Sequence, residues 1–369
     1  MKKKRRRLKR KVKYTIVGII LFITLAVIIN IVRKDDLIID KNKISIRNIF
    51  YTFEDFPIID SYVTLEIKDE GYDIYVPKGK GYRYGPSIIY YDDGTMDAWF
   101  ASEGNSSTIW DLVTYRHFDG KQWSEEEIVL KPTKKSLDHY SVCDPGVIYF
   151  DGYYYIGYTS TTNSTNGGVE NNVFVARSKK PNGEYEKWNG EGWGVKPRPI
   201  IEYTNDDLQW GIGEPSFVIK DDKLYCYYTL ICEEGSFTKL MTADLCENWP
   251  ETLVDNGIVF IRKNAQGSFD IVYDDITEKF FAFGIENNFN SKSCIALYES
   301  EDGFKFEQID SINGIEEYAH NLGISKKFNG HIDFNDDLIV GYAYSKDSKN
   351  IWGKWATKFQ TVKLKYDTK

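Results

Sequence analysis

Metal and thiol chemistry have little to work with in this chain of 369 residues. It carries four histidines, His117, His139, His320 and His331, and five cysteines, Cys143, Cys226, Cys232, Cys246 and Cys294. No two cysteines form a C-x-x-C pair and no histidine stands at ligand spacing from them, so spacing supports no zinc site. An odd count leaves at least one thiol unpaired in a monomer. An oxidising compartment would permit a bridge, Cys226 and Cys232 being the nearest pair, but a domain this large does not need one, and buried apolar side chains are the better reading. Positive charge is also scarce once residues 1–34 are set aside. That segment holds 12 Lys and Arg and no acid, which leaves 35 bases against 55 acids, a balance of −20. A nucleic-acid partner is excluded, because phosphate binding needs a basic face. Neutral or weakly charged glycans remain compatible.

Aromatic residues are abundant. There are 27 Tyr, 21 Phe and 9 Trp, and Tyr, Phe, Val and Ile favour strands because they fit a pleated, half-buried surface. A helical solenoid would carry more Ala and Leu. An all-β fold is therefore expected.

The N-terminus reads differently from the rest. Residues 1–13 form a head made almost entirely of Lys and Arg, and residues 14–32 are an uncharged apolar run ending at Arg33. About 20 apolar residues cross the hydrocarbon core as a helix, and the basic flank stays cytosolic. The run is long for a secretory h-region and lacks a small-x-small cleavage site. The expectation is a transmembrane anchor over 14–33, a cell-membrane location with the N-terminus in the cytoplasm, a stalk and lead-in over 34–60, and an extracellular domain over 61–369. Residues 61–76 alternate enough for a strand pair, one of which could close a ring against the last repeat.

One pattern recurs through that domain. Gly85-Pro86-Ser87, Asp144-Pro145-Gly146, Glu214-Pro215-Ser216 and Gly267-Ser268-Phe269 each lead into an apolar run, with Asp92, Asp151, Asp221 and Asp274 seven residues beyond the first position. The steps are 59, 70 and 53 residues, and another 53 reaches His320. Each copy continues into a second strand (96–101, 153–159, 224–229, 279–283) and a third (112–116, 173–177, 239–243, 295–299). Meandering units of this size, repeated five times, fit a five-bladed β-propeller. One register position then recurs at one mouth of the axis, with occupants Gly85, Asp144, Glu214, Gly267 and His320. Divergence at a repeated position points to function. The four later aspartates recur too regularly for that and read as hairpin-turn residues.

The stretches Tyr140-Ser141-Val142-Cys143-Asp144-Pro145-Gly146-Val147, Gly152-Tyr153-Tyr154-Tyr155-Ile156-Gly157-Tyr158 and Gly211-Ile212-Gly213-Glu214-Pro215-Ser216-Phe217 carry a resemblance. Over residues 80–366 the chain resembles the five-bladed glycoside hydrolases of family 43 and its relatives, families 32, 62, 68 and 117. The resemblance implies a general acid at Glu214, from the third blade, and at Asp144 the second-blade aspartate that tunes pKa and position. The first-blade aspartate that would act as base has Gly85 in its place. It also implies a histidine in the last blade that holds a central cation through water, which His320 matches; calcium would suit such a loose, oxygen-rich shell.

Glycosidic cleavage needs one protonated carboxyl and one carboxylate a few ångströms apart, and neighbouring blade mouths supply that spacing. Mutual repulsion between Asp144 and Glu214 should keep a proton on Glu214. Asp-Pro and Glu-Pro also suit simple turns, but both at one register of consecutive repeats favour function. For the missing base, Glu103, Asp111, Asp138 and Asp270 are candidates, with Asp111 preferred beside Trp110. Trp110, Trp193 and Trp210 lie in irregular connections near the mouths, where a sugar-stacking platform would sit. Arg83, Trp110, Trp210, His320 and Asn321 are the candidate substrate contacts, and His320 is also the candidate metal contact. The expected ligand is a polysaccharide or oligosaccharide bound by a monomer, cleaved by a glycoside hydrolase or held by a propeller that has lost hydrolysis. A protein-interaction propeller is a third and weaker reading, since it would need no acids at the axis.

Overall fold

The computed structural model describes residues 63–366 apart from 79–80, 107–108, 164–167, 206, 264–266 and 347–352, and also two short strands, Lys43–Ile46 and Ile49–Thr52, which pair antiparallel as a separate unit. The expected membrane span over 14–33 lies outside the described residues. Among those described, no helix is long and apolar enough to cross a membrane.

Five antiparallel sheets surround one axis. Their innermost strands are Arg83–Tyr90, Cys143–Phe150, Gly211–Lys220, Phe269–Asp274 and His320–Lys326, numbered blades 1 to 5. Each innermost strand contacts the next, and blade 5 returns to blade 1, where Ser325 and Lys326 pair in parallel with Ile88 and Ile89. The ring is closed by the expected early strand. Val63–Ile67 pairs with Ala356–Tyr366 at the outer edge of blade 5, with Leu65 opposite Leu364. Tyr72–Tyr75 pairs with the same partner strand.

Period-2 alternation makes each sheet apolar on both faces, so every neighbouring pair of blades shares its own core. Trp99, Val147 and Tyr158 lie between blades 1 and 2, and Phe217, Trp249 and Tyr155 between blades 2 and 3. Phe260 and Phe269 join blades 3 and 4, Phe283 and Tyr342 join 4 and 5, and Ile88 and Phe359 join 5 and 1. Four cysteines, Cys143, Cys226, Cys232 and Cys294, are buried free thiols; Cys246 is exposed, unlike the expectation for it.

The channel fixes the true register of the repeats. Ser87 Oγ accepts the Val147 N–H at 3.1 Å, Ser216 Oγ accepts the Ile271 N–H at 2.9 Å, and Asp270 Oδ2 accepts the Ile324 N–H at 3.0 Å, each bridging to the next blade. Gly146 and Gly323 complete this tier. A Cβ on Gly146 would lie 1.9 Å from the Pro215 carbonyl oxygen, and one on Gly323 1.8 Å from that of Pro86. Two residues upstream of the tier stand Gly85, Asp144, Glu214, Ser268 and Asn321, which face the channel.

Two of the five expected mouth residues are therefore off by one. In blades 1, 2, 3 and 5 the first hairpin slips register at the mouth, a β-bulge that re-aims one residue. Its occupants share a left-handed backbone: φ is 54° at Gly85, 49° at Asp144, 53° at Glu214 and 46° at Asn321. Blade 4 pairs without a slip from Phe269 to Asp274. Counting seven residues back from Asp274 therefore overshoots Ser268 to Gly267, and the following step inherits the error, reaching His320 in place of Asn321.

At the opposite end a single loop straps the blades. The carbonyls of Phe328, Asn329 and Gly330 accept the N–H groups of Tyr149, Ile219 and Tyr273 at 2.8, 2.9 and 3.1 Å, one each from blades 2, 3 and 4.

Candidate active site

Above the mouth lies a cavity of about 690 Å³ lined by residues of all five blades, Asp111, Asp144 and Glu214 among them. Below it the channel narrows to about 30 Å³, little more than a single water needs. The positive φ of Asp144 and Glu214 costs on the order of 1 kcal/mol or more per residue. The bulge imposes it, and it turns both carboxyls upward. Asn321 joins them, its Nδ2 donating to Asp144 Oδ1 and Glu214 Oε1, each at 3.2 Å.

The two acids have different surroundings. Glu214 Oε2 accepts from Thr229 Oγ1 at 2.6 Å and lies 3.7 Å from the buried guanidinium of Arg262, while the Glu214 N–H donates to Thr159 Oγ1 at 2.8 Å. Asp144 is only 8% exposed. Burial first, and the Glu214 charge second, push its carboxyl up to about 8. Asp144 is the deeper of the two, and Arg262 sits beside Glu214. Arg262, one residue past the last strand of blade 3 (Val254–Ile261), carries no repeat signature that sequence reading could have found.

Asp111 reaches the cavity where the third strand of blade 1 meets the lead-in to blade 2, through the Trp110 N–H bond to the Tyr140 carbonyl (2.8 Å) and the Asp111–Ser141 bridge. Its Oδ1 accepts from Tyr82 at 2.7 Å and its Oδ2 from Ser141 at 2.6 Å. Burial raises its pKa, and these hydroxyls oppose the rise. Glu103, its cross-strand partner, also lines the cavity. The other two candidate bases are committed elsewhere. Asp138 is fully buried in an ion pair with Lys187 and accepts from Thr133, Ser136 and Tyr158. Asp270 pairs with Lys326 inside the channel and accepts from Ser216.

Trp110 and Trp210 both line the cavity, Trp110 stacked on Tyr140 with centroids 5.2 Å apart. Trp193 packs instead against Tyr155 and Trp188 in blade 2. Arg83 is turned away. Strand neighbours alternate faces, so Tyr82 and Tyr84 enter the cavity, while Arg83 forms a two-point ion pair with Glu126 (2.7 and 2.6 Å) over the Tyr75 ring, in a separate depression.

His320 lines the cavity from the blade 5 side, 1% exposed among the rings of Tyr84, Phe289 and Trp355, with centroids at 5.9, 4.6 and 3.9 Å. Burial lowers its pKa to about 3, so it is neutral. A hard cation wants oxygen ligands. Three aromatic rings do not fit one, and among the described residues no group of three or more His, Cys, Asp and Glu could hold a metal ion.

This architecture is shared with known structures. The chain is similar to a thermostable family-43 glycoside hydrolase, with TM-score 0.57 and 12% identity over 80% of this chain and 96% of that one. The fold is that of the glycoside-hydrolase propellers. Zg3597, a family 117 glycoside hydrolase from the marine bacterium Zobellia galactanivorans, gives TM-score 0.55 and 15% identity over 83% and 92% of the two chains. An α-L-arabinofuranosidase from Podospora anserina, in complex with cellotriose, gives 0.54 and 11% over 79% and 95%. At such identities the likeness establishes the propeller and leaves the chemistry to the site. No protein-family model and no curated protein matches the chain.

Proposed function

We propose that the chain is an extracellular glycoside hydrolase, held at the cell membrane by residues 14–33 and acting on a polysaccharide or oligosaccharide. The observation that carries this reading is the convergence of Asp111, Asp144 and Glu214 on one cavity that also presents Trp110 and Trp210. Indole faces suit the apolar face of a sugar ring. The carboxyls suit the two proton transfers that cleavage requires.

Asp144 and Glu214, bridged by Asn321, act as a pair that keeps one proton near neutral pH. Asp144, deep in the mouth, is where that proton rests. Glu214, against the wider cavity, takes that proton from Asp144 and passes it to the leaving glycosidic oxygen as the C–O bond breaks; Asp144 and Glu214 are then both carboxylates, and Arg262 stabilises that of Glu214. Asp111, aligned by Tyr82 and Ser141, takes the proton of the attacking water. This assignment predicts that the protein releases new reducing ends from at least one member of a glycan panel. Glu214→Gln should lower that turnover by roughly 10²–10⁴-fold.

Gly85 favours a second reading, a binding propeller without hydrolysis. No carboxyl stands at the first-blade mouth, although a Cβ there would meet Asp144 only at an ordinary 3.6 Å. Sugar binding without turnover, with activity appearing in Gly85→Asp, would select it.

A further inference from the structure

The acids occupy the wall formed by blades 1 to 3. The opposite wall is formed by blades 4 and 5. Both ring nitrogens of His320, and Oδ1 of Asn288, are buried without a hydrogen-bond partner among the described residues, and both residues line the same cavity. Unpaired buried polar atoms are uncommon and costly. Here the protein also strains its backbone to place them. Asn287 and Phe289, on either side of Asn288, have φ of 55° and 56°, a left-handed conformation that is a genuine outlier for a bulky aromatic. The loop is pinned to the entry of blade 5, the Phe289 N–H donating to the Ala319 carbonyl at 3.0 Å and the Tyr318 N–H to that of Asn290 at 2.8 Å. Phe289 then closes over the His320 ring, and a Cβ on Gly267 would lie 3.1 Å from Asn288 Oδ1.

We propose that His320 and Asn288 form a hydroxyl-recognition wall, facing the carboxyls, that selects an uncharged sugar ring. This rests on the carbohydrate reading of the cavity and sharpens it. A neutral imidazole offers one donor and one acceptor, and the Asn288 carbonyl offers an acceptor. Ring hydroxyls can donate and accept, so they satisfy all three. A carboxylate satisfies none of the acceptors. His320 also stays neutral at ordinary pH and brings no cation to meet a uronate. Among the described residues bordering the cavity, Arg262 is the only Lys or Arg, against Glu103, Asp111, Asp144 and Glu214, and it already faces Glu214.

The test uses the purified full-length chain, short calorimetric titrations at 4 °C with paired neutral and uronate-containing oligosaccharides, and the variants His320→Phe and Asn288→Ala. Wild type should bind a neutral oligosaccharide at least tenfold more tightly than its uronate counterpart. Each variant should weaken that binding about 10- to 100-fold, as the loss of a buried hydrogen bond implies. His320→Phe should also raise the melting temperature of the ligand-free protein, since it removes unpaired polar atoms from an aromatic cage; a purely structural histidine would lower it. Wild-type affinity kept by both folded variants, or uronates bound as well as neutral sugars, would overturn the wall and leave the carbohydrate reading standing. No binding to any member of the panel would overturn both.

Discussion

Replacing Asp144 by Asn should make the protein more stable at neutral pH and less dependent on pH. The wild-type carboxyl is raised from 3.8 to about 8 by burial and by Glu214. An acid with a raised native pKa binds its proton more tightly in the folded state. Its full contribution to stability is therefore present below pH 4 and is lost progressively as pH rises from about 4 to about 8. At 1.36 kcal/mol per unit, the loss amounts to roughly 4 kcal/mol at pH 7. Asparagine keeps the shape and can still accept from Asn321, but does not ionise. Urea denaturation of both proteins at half-unit steps from pH 4 to pH 9 reads the difference directly. The variant should overtake wild type as pH rises, by roughly 3–5 kcal/mol at pH 8. Glu214→Gln, which removes the second cause of the shift, should flatten the wild-type slope in part. A difference between wild type and Asp144→Asn that does not change with pH, or a variant less stable at pH 8, would refute the shared-proton account of the mouth.

Three further outcomes are expected. Gly146→Ala places a Cβ 1.9 Å from the Pro215 carbonyl and should cost more than 3 kcal/mol or abolish soluble expression, whereas Gly192→Ala, with nothing within 4 Å, should change the denaturation midpoint by less than about 0.5 kcal/mol. Lys326→Met removes the ion-pair partner of the buried Asp270 carboxyl in the channel and should destabilise by roughly 3–5 kcal/mol in the same assay. Protease added to intact cells should digest the propeller and spare an N-terminal tag; a protected C-terminal part would reject the proposed topology.

The propeller was legible because its channel is too narrow for ordinary side chains. Pro86, Pro145 and Pro215, with Ser87, Gly146 and Ser216 after them, repeat because the inner strands touch there. Asp144 and Glu214 stood out as the positions where that repeat carries charge. The register failed at blade 4 because a bulge is one residue of backbone geometry and leaves no mark in composition. Arg83 misled because it adjoins the mouth in sequence while strand alternation turns it to another face. Arg262, Asn288, Phe289 and Trp355 escaped notice for a different reason. They come from strand ends and loops that reach the cavity only when the ring closes, so no periodicity announces them.

The central claim is that Glu214 and Asp111 perform acid and base chemistry on a glycosidic bond. It is tested most directly by turnover of the best glycan substrate by wild type, Glu214→Gln and Asp111→Asn, with binding measured alongside. The account predicts reducing ends released by wild type, and turnover lowered by roughly 10²–10⁴-fold in each variant while the sugar still binds. Binding by all three proteins with no turnover by any, or wild-type turnover retained in Asp111→Asn, would contradict it.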